Sequence, residues 1–122
     1  MIMRSLCFAA ALCSSVSLAS AQEQVTAASG AVLRGLDKIN GQTVDLEIAT
    51  GRTADFGTLK ITLGDCRYPV GNPAGNAYAA MEVTETGHEG TVFSGWMIAS
   101  SPALSAMDHP RYDIWVLRCI TS

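Results

Sequence analysis

Lysine and arginine are concentrated nowhere in this 122-residue chain, and charged residues of both signs make up only 16% of it. Phosphate backbones and anionic membrane surfaces both call for a dense basic face, so nucleic acid and anionic lipid are disfavoured as partners. After the first 21 residues no run reaches the roughly 18 apolar residues that a spanning helix needs. No long segment repeats apolar residues at the 3.6-residue helical period, which argues against a helical fold. Several catalytic frames are missing as well. There is no G-x-S-x-G elbow, no S-x-x-K and no redox C-x-x-C, and the glycines of "PVGNPAGN" lack the lysine of a phosphate loop.

What is present begins with an address. In "MIMRSLCFAAALCSSVSLASAQEQ", Arg4 supplies a positive start, Leu6 to Leu12 a short apolar stretch, and Ala19-Ser20-Ala21 an A-x-A cleavage site. The expectation is a signal peptide over 1–21, cleaved after Ala21. A chain of 101 residues would remain, enough for one domain but not two. Its seven basic and eleven acidic side chains give a net charge of −4. Residues 22–30 (QEQVTAASG) are small, polar and unpatterned, and read as a flexible leader before a single domain over 31–122.

Export also simplifies the cysteines. Of four, only Cys66 and Cys119 survive cleavage, and an oxidising compartment predicts one intramolecular disulfide between them. Two buried thiols or a reactive free cysteine are the alternatives. Closing 53 residues of chain would stabilise the fold by about 4 kcal/mol on the loop-entropy argument.

Short alternating segments dominate the rest. Val44, Leu46 and Ile48 alternate with Asp45 and Glu47, and Leu59, Ile61 and Leu63 with Lys60 and Thr62, the period of half-buried strands. Ala31–Arg34 reads as a short strand ending in a "GLDKING" turn over Gly35–Gly41. "AYAAMEVTET" is a further strand, with Ala79, Met81 and Val83 sharing a face. "TVFSGWMIAS" is dense in apolar residues and is expected to be central. "YDIWVLRC" has Asp113, Trp115, Leu117 and Cys119 on one side, Tyr112, Ile114 and Val116 on the other, as if buried on both faces. The fold class is all-β: a small antiparallel β-sandwich or partly open barrel with one short connecting helix.

That helix is the interest of "SSPALSAMDHP". The residue types of a serine hydrolase are there, with Ser101 as nucleophile, His109 as base and Asp108 as its carboxylate, although adjacent side chains such as Asp108 and His109 usually diverge. The residues read more simply as a connector. Ser101 would cap a helix that has Pro102 at its first position, and Asp108-His109-Pro110 would end it. Its exposed surface, Ser100, Ser101, Leu104, Met107, His109 and Arg111, is the expected interaction site. His88 and His109 are weak metal-ligand candidates, because neither belongs to a recognisable ligand spacing. A small apolar ligand between Trp96, Trp115 and Met97 is a further alternative, and no cofactor is expected.

Three stretches, "LRGLDKINGQTVDLEI", "FGTLKITLGDCRYP" and "VFSGWMIASSPALSAMDHPRYDIWVLRC", together resemble the domain of unknown function 2155 family of exported bacterial proteins, over nearly all of 31–119. Two features depart from the group: a short loop at Val70–Asn76, and His88-Glu89 in a segment that varies. The resemblance implies a periplasmic location and no known activity or cofactor. It also implies, as partner, another envelope protein or an inner-membrane assembly of the respiratory kind. The expected function is a non-enzymatic interaction or accessory module.

Overall fold

The computed structural model describes residues 23–121, so the predicted signal peptide lies outside the described residues. Eight strands follow in order: β1 (Val25–Ala27), β2 (Gly30–Asp37), β3 (Thr43–Ala49), β4 (Thr53–Phe56), β5 (Leu59–Pro69), β6 (Tyr78–Glu85), β7 (Thr91–Ile98) and β8 (Tyr112–Ile120). All pair antiparallel. One sheet runs β7-β6-β5, with the far side of β5 shared by β4 along its first half and β1 at its end. The other runs β3-β2-β8. The two sheets face each other as a sandwich and do not close into a barrel. The apolar sides of the alternating strands meet between them, and Leu33, Leu59, Ile61, Leu63, Ile114 and Val116 are fully or almost fully buried.

The alternation of β5 and β6 is as the sequence predicts. The cysteines are more instructive. Leu59, Ile61 and Leu63 point inward, so a strict period of two would turn Cys66 outward. Gly64 is an extra residue between the pairs Leu63–Met81 and Asp65–Ala80, and this bulge resets the phase. In β8, Leu117 is the extra residue between Val116–Leu33 and Arg118–Val32. Cys119 therefore joins the inner face of Val116 instead of the outer face of Trp115. Two bulges deliver both sulfurs to the core, where the Cys66–Cys119 disulfide joins the two sheets with Cα atoms 5.9 Å apart.

Several expectations need correcting. The stretch read as a flexible leader contains β1, and the Ala28 and Ser29 amides then donate to Cys66 O in one sheet and Ile120 O in the other. Backbone pairing orders this segment; its side chains, which carry no pattern, do not. β2 continues through Gly35 to Asp37, so the "GLDKING" turn begins later than predicted. Gly35 is there for packing: a Cβ would lie 2.8 Å from the Phe56 ring. Val44, expected inside, is 46% exposed near the start of the edge strand β3. β7 is an edge strand despite its apolar density; Met97 turns inward and Trp96 outward. β8 is likewise an edge, with Asp113, Trp115 and Leu117 half-buried on its outer side. The connecting helix is a single 3-10 turn, Pro102–Ser105, and the Ser101 side chain makes no cap.

Candidate functional site

The connector 99–111 spans from β7 to β8 and is fastened at both ends. At its start, Asn76 Nδ2 donates to Ser100 Oγ (2.8 Å) while Asn76 Oδ1 accepts from the Ser100 amide (3.0 Å). At its end His109, with only a tenth of its side chain exposed, reaches Glu85 at the end of β6. His109 Nε2 lies 2.6 Å from Glu85 Oε2, and His109 Nδ1 accepts from the amides of Arg111 (3.0 Å) and Tyr112 (3.1 Å). Two donors aimed at Nδ1 leave it without a proton, so the imidazole N–H is on Nε2 and donates to the carboxylate.

Glu85 collects three side chains. Besides His109 it accepts from Thr58 Oγ1 (3.1 Å), and His88 Nε2 is 3.1 Å from its other oxygen. These contacts, the His109 hydrogen bond foremost, hold its carboxyl below the usual carboxylate range, against the opposing effect of partial burial. Arg111 pairs with Asp37 at the end of β2, at 3.0 Å and 3.2 Å to one oxygen, and Asp37 also accepts from the Ile39 amide. The Arg111 hydrogen bond keeps the Asp37 carboxyl low. Lys38 Nζ donates to His109 O. Tyr112 packs edge-on against Phe56, with ring centroids 5.2 Å apart. The cluster clasps connector, β2 and β6 together at one end of the sandwich.

The predicted catalytic residues do not converge in this clasp. Among the described residues the Ser101 hydroxyl bonds neither imidazole, and Asp108 is exposed and makes no hydrogen bond or ion pair with His109. Neither nitrogen of His109 offers a lone pair, because one carries the proton given to Glu85 and the other is filled by backbone donors. A general base or metal ligand needs that lone pair. His88 and His109 do meet, across Glu85, although they are far apart in sequence. Among the described residues no group of three or more side chains is arranged to hold a metal ion.

Of the six residues expected to form an interaction surface, the structure presents Leu104, 75% exposed at the tip of the 3-10 turn, and Ser100 and Arg111 are exposed as well. Ser101 is half-buried. Met107 corrects the expectation: it is 6% exposed and packs into the core, fixing the connector from below. His109 is likewise withdrawn into the clasp. Beside Leu104 a groove of about 440 Å³ runs between the turn and β8, lined by Pro102, Ala103, Ala106, Asp113, Ile114 and Trp115. The proposed space between both tryptophans and Met97 does not form, since Trp96 lies on the outer face of one sheet, Trp115 on the outer face of the other, and Met97 between them in the core.

Sequence reasoning missed Glu85, Asp37 and Asn76, the anchors of the connector. All three lie at or just beyond strand ends, where alternation carries no signal, and only Asp37, buried in spite of its charge, departs from its residue type.

Comparison with known proteins places these features in a group. No solved structure matches the chain. A relative among curated proteins is the uncharacterized protein RP359 of Rickettsia prowazekii (strain Madrid E), 32% identical, with the match covering 69% of this chain and 56% of that protein. This chain thus spans little more than half the length of that relative. The family model described as "Uncharacterized protein conserved in bacteria (DUF2155)" matches residues 31–119, from the start of β2 to the second bridging cysteine, and the chain belongs to that family.

Proposed function

We propose that this chain is a non-enzymatic accessory module of the cell envelope, exported to the periplasm, that docks on another envelope protein through its connector. The observation that carries the reading is Leu104. A large apolar side chain is held out to solvent on a turn pinned by Asn76–Ser100 on one side and by His109–Glu85 and Arg111–Asp37 on the other. Rigid presentation lowers the ordering cost of association, and one such anchor beside an apolar groove is the usual core of a protein interface. Support for export comes from the n-region, h-region and A-x-A site of the first 21 residues, and from the bridged cysteines. An inner-membrane assembly is the partner class favoured by the resemblance described above.

A photo-crosslinking amino acid at position 104, in the full chain expressed in its native envelope, tests this. Position 39 is the control, because Ile39 is 73% exposed on the turn between β2 and β3. One discrete adduct at 104, absent at 39 and lost on adding Ala103→Asp, is expected. The same adducts at both positions, or none at 104, would overturn the reading, as would an N-terminus of the purified periplasmic protein other than Gln22.

A further inference from the structure

The outer face of the five-stranded sheet carries a second feature that the connector does not explain. Trp96 stands on β7 with 43% of its surface exposed, paired across the sheet with Ala80. Arg67 stacks against the indole, 5.5 Å from its centroid, and is itself held by Asp65 at 2.8 Å. On the other side of the indole lies a shallow trough of about 350 Å³. Its floor is Gly64, Ala80 and Gly95, and its far wall is the cross-strand row Thr62–Glu82–Ser94. Gly64 is not demanded there by sterics. A Cβ would meet only Ala80 O, at an ordinary 3.6 Å, and the backbone is not in the left-handed region.

From this geometry we infer that the trough binds a neutral hexopyranose unit of a glycan, stacked on Trp96 with its hydroxyls on Glu82 and the flanking Thr62 and Ser94. The lining disfavours an apolar or an anionic ligand. An apolar side chain would find one apolar wall, a glycine–alanine floor and a polar row opposite. An anionic group would meet the Glu82 carboxylate, which makes no ion pair among the described residues, whereas the nearby cation Arg67 is already paired with Asp65. A pyranose satisfies both walls together, offering a C–H face to the ring and hydroxyl donors to a carboxylate acceptor. The inference stands apart from docking through Leu104, which lies on the connector.

The test is a ¹⁵N-NMR titration of the oxidised chain with three soluble oligomers: β-linked glucose, α-linked glucose and β-linked N-acetylglucosamine. Heparin serves as the anionic comparison. At least one neutral oligomer is expected to give saturable shifts confined to Thr62, Ala80, Glu82, Ser94 and the Trp96 indole. Trp96→Ala and Glu82→Gln should each weaken binding at least about tenfold while leaving the remaining spectrum unchanged. Two results would overturn the inference: no saturable shift with any neutral oligomer up to roughly 10 mM, or undiminished binding in Trp96→Ala. Shifts mapping to the connector, or binding of heparin alone, would do the same.

Discussion

Glu85 is the residue on which the connector's closure turns, and its chemistry sets a direction for pH dependence. Its carboxyl is held below its ordinary value of 4.5 chiefly by the His109 hydrogen bond, with the Thr58 hydrogen bond adding to it against the opposing effect of partial burial. A carboxyl whose folded value is depressed gives stability that is fully present above the unfolded value and is lost as pH falls through the folded one. The native protein should therefore lose part of its stability as pH falls below 4.5, the ordinary value, and through the lower folded one. Glu85→Gln keeps an acceptor for the His109 Nε2–H but removes the titration. Urea midpoints measured across that interval should fall less steeply in the variant than in the native chain. Equal slopes would show that some other carboxylate, such as Asp37 or Asp45, each held low by an arginine, governs the acid limb.

At the scale of the element, the bulges at Gly64 and Leu117 decide which way the cysteines face. A single-residue slip in a strand sends every following side chain to the opposite face. Deleting Leu117 should remove the bulge while leaving Val116, Arg118 and Cys119 opposite Leu33, Val32 and Ala31, so the cysteine stays inward and, as in the native chain, no thiol reacts with an alkylating agent without reductant. A deletion variant with two reactive thiols would mean that Leu117 is not the residue the bulge takes out of phase. The same feature marks the limit of what the amino-acid pattern can convey. Leu59, Ile61 and Leu63 read correctly, as do Ala79, Met81 and Val83, because burial on one face of a regular strand leaves a trace in residue type. A bulge leaves none, so Cys119 reads as facing with Trp115. Position within a sheet is equally silent. Phe93, Trp96, Met97 and Ile98 make β7 look central, yet Trp96 is outside, where an exposed apolar residue has the same letter as a buried one. β1 is formed by backbone pairing and could not be seen in side chains at all. At the connector, His109 stands out by its type, but its partner Glu85 is one carboxylate among eleven acidic residues until the fold brings it within 2.6 Å.

Across the whole molecule, the two sheets are fastened at opposite ends by different means. Cys66–Cys119 joins β5 to β8 beside the Ala28–Ser29 crossing, whereas the clasp of Glu85, His109, Arg111 and Asp37 joins β6, the connector and β2 at the other end. Along β5 the disulfide and the start of the strand, next to Glu85, are separated by roughly 20 Å at a strand's rise per residue. The covalent link acts mainly on the unfolded chain, by restricting its conformations, while the clasp acts on the folded one. Groups so far apart that share no partner should contribute independently. Replacing both cysteines by alanine should cost about 2–5 kcal/mol, a large share of the roughly 5–15 kcal/mol typical of a small domain. Adding Glu85→Gln to that background should lower the urea midpoint further, by the same free energy it removes from the oxidised chain. A coupling above about 0.5 kcal/mol would contradict independence and show that closing one end of the sandwich tightens the other. The connector would then be held by the disulfide as well as by His109, and Leu104 would lose its fixed position whenever the cysteines were reduced.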